Sequence, residues 1–225
     1  MSKQQKRGDE PVVNVTEVYS KTEKYVDENR NTLLIIAGIL VVLFVGYFAF
    51  TRLYLHPKNE EGMNLLWKAE YWFEIDSLDK ALGGDESYYG FEYIANEYSS
   101  TKAGSLASYY AGVIYLKYGE PQMALHYLDN ANLKDVIIGA MAKGSKGDAF
   151  VELGNFDKAI SSYNDAINHS KNNLTTPMYL KKQGLVYEEQ GKFPQALANY
   201  KRIKDDFPQS TEARSIDSYI ARVGG

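Results

Sequence analysis

Residues 184–200, GLVYEEQGKFPQALANY, carry a pattern that two earlier segments repeat. Counting from the first glycine, an aromatic residue stands at offset 3, a glycine at offset 7, an alanine at offset 12 and a tyrosine at offset 16. The same offsets recur in residues 147–163, GDAFVELGNFDKAISSY, and, with leucine at offset 16, in residues 112–128, GVIYLKYGEPQMALHYL. Spacings of 35 and 37 residues between the segments indicate an array of stacked structural repeats.

Each position of the pattern suits the packing of two antiparallel helices. Small residues at offsets 0 and 12 let the helices approach closely, and bulky residues at offsets 3 and 16 fill the space beside the contact. Glycine at offset 7 is the residue that commonly ends a helix in a left-handed conformation. Pro208 is placed to end the last pair, and Thr176 with Pro177 is typical of a helix start.

This pattern resembles the tetratricopeptide repeat family, most clearly in its last copy. The resemblance implies an all-α solenoid of helix pairs, with regular repeats at about 105–138, 140–173 and 177–210. The last repeat matches at Gly184, Tyr187, Ala196, Tyr200 and Pro208, and the middle repeat at Gly147, Phe150, Ala159, Tyr163 and Ala166. The first repeat matches more loosely, because Ser108 and Leu128 stand where aromatic residues are usual.

Atypical units are expected on either side of the regular repeats, because the ends of a solenoid face water. Residues 60–100 are interpreted as a degenerate pair of two helices, broken at Gly83-Gly84-Asp85. Its first helix is expected to be amphipathic, lined by Met63, Trp67, Tyr71, Phe73 and Ile75. After Ser210, a capping helix is expected at about 211–222.

Residues 31–51 contain no charged side chain and predict a transmembrane helix, to which we assign residues 31–54. At about 1.5 Å per residue such a helix reaches about 31 Å, the thickness of the hydrocarbon core of a bilayer. A cleavable signal peptide would need a short basic region before the apolar run and small residues after it. Here some thirty residues of mixed charge precede the run, and Phe50, Arg52 and Leu53 lie at its end, so an uncleaved anchor is favoured.

The basic residues before this helix favour a cytoplasmic N-terminus. Residues 1–30 are accordingly interpreted as a cytoplasmic tail and a pre-membrane helix, and residues 55–225 as a repeat domain outside the cytoplasm. The positive-inside rule, which relates loop charge to orientation, counts the Lys and Arg residues that flank the helix and not the net charge. The six that precede the helix are Lys3, Lys6, Arg7, Lys21, Lys24 and Arg30.

Chemically specialised residues are scarce. The chain has no cysteine, and its three histidines have no second histidine at metal-ligand spacing. Phosphate-loop, calcium-loop and nucleophile-elbow motifs do not occur. A net charge of −4 argues against a nucleic-acid binder. We therefore expect no catalytic residue, metal or cofactor, and the alternative of an enzyme built from surface polar residues stays open.

Protein binding is what the repeat resemblance implies, through the concave groove that the first helices of successive repeats line. Val113 and Asp148 stand where the carboxylate clamp of chaperone-tail receptors needs asparagine, so that clamp is not expected. Tyr109 and Tyr110 are expected to supply contact area, in a groove of mixed charge. The groove residues predicted in this way are Tyr109, Tyr110, Val113, Lys117, Ser145, Asp148, Glu152, Lys181, Lys182, Leu185 and Glu188.

A cytoplasmic tail, one anchor helix and a repeat domain also resemble, in layout, the ancillary subunit family of the bacterial SecYEG translocon. That resemblance implies a single-pass inner-membrane protein with a periplasmic binding domain. Its partners would be translocon subunits, a membrane-anchored peptidyl-prolyl isomerase or chaperone, and exported polypeptides. A structural scaffold of another envelope complex, for secretion, motility or cell division, is the alternative.

Overall fold

The computed structural model describes residues 23–224, so the expected tail and the first part of the expected pre-membrane helix, residues 16–22, lie outside the described residues. The described chain is almost wholly helical, and it divides between Tyr54 and Leu55 into two compact units. In the first unit, helical residues 23–28 (α1) are followed by α2 (Arg30–Phe50) and by a π-helical turn, Thr51–Leu55, that runs to the division.

Helix α2 is long and apolar enough to cross a membrane. None of its 21 residues is buried, so the unit does not use this apolar surface for a core of its own. A helical window of 18 residues in this part of the chain reaches a mean hydropathy of 2.8. Soluble helices of this length usually carry a polar stripe that faces water. Length and composition therefore agree with a membrane span.

The second unit begins with an irregular part and continues as regular helix pairs. Its elements are α3 (His56–Glu74), α4 (Leu78–Gly83), β1 (Gly84–Asp85), β2 (Tyr88–Tyr89), α5 (Phe91–Glu97), α6 (Lys102–Lys117), α7 (Pro121–Leu128), α8 (Ile138–Glu152), α9 (Phe156–His169), α10 (Thr175–Glu189), α11 (Phe193–Asp206), a 3-10 turn (Glu212–Ser215) and α12 (Ile216–Gly224). Helix α6 packs on α7, α8 on α9 and α10 on α11, and each pair packs on the next. This is an all-α solenoid of the tetratricopeptide type, as the repeat pattern predicts.

The glycines at offset 0 lie at the closest contacts within the pairs. A Cβ atom added at Gly147 or Gly184 would collide with the ring of Tyr163 or Tyr200 on the partner helix. The same addition at Gly112 would collide with the side chain of Leu128. The alanines at offset 12 are fully buried in all three pairs. The spacing therefore predicted the helix contacts correctly.

The three glycines at offset 7 make the turn between the helices of each pair. Gly119, Gly154 and Gly191 have φ angles of 71°, 68° and 67°. L-residues with a side chain rarely adopt this left-handed region, whereas glycine adopts it without steric cost. Each first helix therefore ends two residues before its glycine, and the chain reverses into the second helix.

The prediction of two helices at residues 60–100 is wrong. Three helices occupy this segment, and a hairpin pairs Gly84 with Tyr89 and Asp85 with Tyr88. The expected apolar face of α3 is correct only at Phe73, because the helix packs through a stripe of Gly62, Leu66, Ala69 and Phe73. The other residues predicted for this face are exposed: Met63, Trp67, Tyr71 and Ile75.

Two expected helix starts differ in detail. Thr176 does not cap α10; it is buried inside the helix, and the side chain of Asn172 accepts hydrogen bonds from the amides of Leu174 and Thr175 instead. Ser210 does accept from the amide of Ala213, but it opens a 3-10 turn before α12 begins at Ile216.

Candidate functional site

The predicted groove residues on α6 form mostly internal contacts. The Tyr109 side chain is only 7% exposed, and its hydroxyl lies 4.0 Å from the sulfur of Met141. The expectation that Tyr109 supplies contact area to a ligand is therefore wrong. Tyr110 is half-buried and stacks on Phe91, with ring centroids 4.7 Å apart. Burial and the Glu70 carboxylate raise the pKa of Tyr110 to about 12.

The other two predicted residues on α6 differ in exposure. Val113 is half-buried and packs on the cluster of side chains between α6 and α8. Lys117 is exposed, and its ammonium group lies 3.0 Å from the Asp76 carboxylate and 5.4 Å from the centre of the Phe73 ring. The positive charge of Lys117 is therefore directed toward the segment after α3, not toward α8.

Asp148 and Lys182 face each other across α8 and α10. The Lys182 ammonium group donates to both Asp148 oxygens, at 2.8 and 2.7 Å. The Tyr163 hydroxyl donates to the same carboxylate at 2.7 Å. Burial, followed by the Asp148 charge, raises the pKa of Tyr163, so its hydroxyl keeps the proton that it donates. The three side chains form one connected network that joins α8, α9 and α10.

Beside this network lies an apolar cleft of about 420 Å³, which we call the α8–α10 cleft. Leu185, which lines the cleft, is 42% exposed. A leucine exposed to this degree contributes little to the core. The volume is within the range of sites that hold a ligand group or side chain. The residues that line it are Asp148, Val151, Phe156, Tyr163, Lys182, Leu185, Val186 and Glu189.

Two carboxylates flank the α8–α10 cleft. Glu152 lies one turn beyond Asp148 on the same face of α8, and Glu189 lines the cleft from α10. Both side chains are exposed, and each is the last residue of its helix. Ser145, one turn before Asp148 in the other direction, is buried and offers little surface. The open charges at this end of the cleft are therefore acidic.

The two remaining predicted residues face the last helix of the solenoid. The Lys181 ammonium group lies 4.6 Å from the centre of the Tyr219 ring on α12. Glu188 accepts two hydrogen bonds from the Arg222 guanidinium, at 2.8 and 2.7 Å, and one from the Tyr200 hydroxyl. The hydrogen bonds from Arg222 hold the pKa of Glu188 below its ordinary value. These residues attach α12 to the last repeat.

The structure thus brings together Asp148, Lys182 and Leu185, with Glu152 beside them, and separates them from the α6 residues. Sequence reasoning missed five residues that line the cleft: Val151, Phe156, Tyr163, Val186 and Glu189. Val151 stands at offset 4 of its repeat, next to Glu152, and Val186 at offset 2, next to Leu185. Their position beside predicted groove residues was an available signal. Phe156 is on a second helix, and the groove rule considers only first helices.

Among residues 23–224, no group of three or more His, Asp or Glu side chains is placed to hold a metal ion. A second cleft, of about 340 Å³, lies between α3 and the hairpin. Its lining includes Trp67, Lys68, Asp85, Ser87 and Tyr88.

Comparison with known proteins gives one family match. Residues 145–211 match the family model described as tetratricopeptide repeat, a segment that runs from α8 to the residues before the 3-10 turn. No curated protein matches the chain. The matched segment contains the α8–α10 cleft, and the helix pairs on either side of it have the geometry that such repeats need. Together they support a tetratricopeptide repeat protein, whose repeats serve protein–protein interaction.

Proposed function

We propose that this protein is a membrane-anchored interaction module that binds polypeptides through the α8–α10 cleft. The observation that carries the proposal is the apolar lining of this cleft, with Leu185 exposed at it, between the first helices of two consecutive repeats. Solenoid proteins use such concave surfaces for extended or helical segments of their partners. No step of this function needs a catalytic group.

The anchor in this proposal is α2, with the N-terminus in the cytoplasm and the repeat domain in the periplasm of a bacterial cell. Two features support it: no residue of α2 is buried, and six Lys and Arg residues precede the apolar run. A tether of this kind attaches the repeat domain to the membrane from which exported chains emerge.

We further propose that the partners are components of the Sec translocon, a membrane-anchored isomerase or chaperone beside it, and exported polypeptides. The layout of tail, anchor and repeat domain supports this assignment. In this role the protein receives or positions chains as they leave the channel. The scaffold function in another envelope complex is the alternative that an experiment has to separate from it.

Affinity purification from gently solubilised membranes, followed by quantitative mass spectrometry, tests this function. Wild type is compared with Leu185→Asp and with a control, Ala198→Asp, at an exposed position of α11. We expect translocon subunits and exported chains to copurify with wild type and with the control, and to be lost with Leu185→Asp. One stoichiometric envelope protein in place of this set would support the scaffold function.

A further inference from the structure

We infer that the α8–α10 cleft selects segments in which an apolar side chain is adjacent to lysine or arginine. This inference rests on the proposed function and names the class of polypeptide that it binds. Two observations carry it: the apolar lining of the cleft, and the charges that remain open around it once internal ion pairs are formed.

The positive charges near the cleft are already paired. Lys182 is neutralised by Asp148 at 2.7 Å. Lys192, beyond the end of α10, lies 4.0 Å from Asp157. Lys181 points to the Tyr219 ring on the other side of α10. Each of these three cations therefore has an anionic or aromatic partner within the protein.

The negative charges at the same place are open. Glu152 and Glu189 are exposed, and neither has a hydrogen bond or ion pair with another described residue. Each stands at the C-terminal end of its helix, where the helix dipole adds partial negative charge. Low-dielectric walls concentrate the field of charges in a cleft. A cationic side chain is therefore the complement of this end.

The apolar lining of the cleft favours an apolar side chain next to the basic residue of the bound segment. Val151 and Phe156 are partly buried against the core, and Leu185 is exposed beside them. Water at such a surface is displaced favourably by an apolar side chain, and central anchors of this kind carry much of the energy of binding. A leucine, methionine or phenylalanine in the cleft places a neighbouring lysine or arginine within reach of Glu152 or Glu189.

Fluorescence anisotropy on the full-length protein in zwitterionic nanodiscs tests the inference, with empty nanodiscs as the blank. The probes are three fluorescein-labelled peptides of equal length: leucines beside lysines, leucines beside glutamates, and serines beside lysines. We expect the leucine–lysine peptide to bind at least about tenfold more tightly than either other peptide. Its affinity should fall as salt is raised, because exposed charges are screened.

Charge reversal provides the specific variant. Glu152→Lys combined with Glu189→Lys should bind the leucine–glutamate peptide more tightly than the leucine–lysine peptide, which reverses the order of wild type. The control, Asp165→Lys combined with Asp205→Lys, makes the same change of net charge at exposed positions of α9 and α11 and should keep the wild-type order.

Three results would overturn the inference: an equal or higher affinity of wild type for the leucine–glutamate peptide, an unchanged order in the reversed variant, or absence of binding by all three peptides. None of these results tests the proposed function, which the affinity purification from membranes tests separately. If Leu185→Asp loses its partners but the peptides show no charge preference, the proposed function as an interaction module stands and the proposed apolar–basic binding motif is wrong.

Discussion

At the closest helix contacts of this solenoid, an aromatic ring on one helix fills the space beside a glycine on the other. At Gly184, the space that a Cβ atom would occupy belongs to the Tyr200 ring. Tyr200 is fully buried and hydrogen-bonded to Glu188, so it has little freedom to move away. The glycine is therefore a requirement of packing and not of backbone conformation.

We predict that Gly184→Ala lowers the free energy of unfolding by about 1–3 kcal/mol through overpacking. Thermal unfolding of the full-length protein in detergent, followed by far-ultraviolet circular dichroism, measures the change. The control is Gly83→Ala, whose added Cβ atom would meet no neighbour within 4 Å. It should leave the melting temperature unchanged or raise it slightly. Equal melting temperatures for both variants would contradict the helix register.

The carboxylate of Glu188 links stability to pH. Hydrogen bonds from Arg222 lower its pKa from the ordinary value of 4.5, so the ionised form stabilises the folded state. This contribution is complete above pH 4.5 and is lost as the pH falls through the lowered folded value. Glu188→Gln should therefore melt below wild type at pH 7, and the difference should shrink as the pH is lowered.

Glu189→Gln serves as the control, because Glu189 is exposed and makes no ion pair with a described residue. It should melt close to wild type at both ends of the pH range. A constant difference between Glu188→Gln and wild type from pH 7 to pH 3 would show that the pair with Arg222 does not supply the effect.

At the scale of the elements, left-handed glycines determine where the first helices end. Gly154, with φ of 68°, reverses the chain between α8 and α9. We predict that Gly154→Ala costs about 1 kcal/mol of stability, since L-residues with a Cβ atom are strained there. Gly154→Asn should cost less, because asparagine tolerates this conformation better. Chemical denaturation of the two variants checks the order, and equal costs would argue against a left-handed turn.

Helix α3 illustrates what periodicity alone cannot decide. Its sequence offers two apolar faces, one with Met63, Trp67 and Tyr71 and one with Gly62 and Leu66. A Cβ atom on Gly62 would lie 2.8 Å from that of Ala103, so the buried face is the one that allows the closer approach. The larger side chains were expected inside because of their hydrophobicity, and the small residue decided the packing.

The regular repeats were more predictable than their ends because each contact recurs three times at fixed spacing. The start of α10 was not predictable in this way, because Thr176 and Asn172 are both suitable N-cap residues by type. In the structure Asn172 takes the role and Thr176 donates to the carbonyl of Ser170 from within the helix. Local competition of this kind depends on the path of the preceding loop.

The charge of the groove was not predictable from composition. Both lysines and acids occur along α8 and α10 and indicate a mixed surface. The rotation of the two helices places Lys182 against Asp148, 34 positions earlier in the chain, and leaves Glu152 and Glu189 open. Which charges are neutralised therefore depends on helix geometry, and only the identity of the first-helix positions could be predicted from the repeat pattern.

For the whole molecule, we predict that alkaline carbonate extraction leaves the protein in the membrane fraction. The reason is the absence of charged side chains in residues 31–51 and of buried residues in α2. Leu40→Arg combined with Leu43→Arg should release it, because charged residues near the middle of a span are costly. The combination of Asp165→Lys and Asp205→Lys, in the second unit, should not. Release of wild type would contradict the anchor.

The same account predicts the side of the membrane on which the cleft lies. Protease added to spheroplasts should digest the repeat domain while a cytoplasmic marker stays intact, because the flanking Lys and Arg residues favour a cytoplasmic N-terminus. Digestion only after detergent lysis would reverse the orientation and remove the translocation role from the proposal.

The most direct measurement of the central claim is photo-crosslinking in living cells with a reactive amino acid in place of Leu185. Leu185 lines the cleft and is 42% exposed, whereas Ala198 is exposed on a second helix away from it. The account predicts products with translocon components or several exported chains from position 185, and few products from position 198. Equal labelling from both positions, or a single scaffold protein captured from position 185, would contradict it.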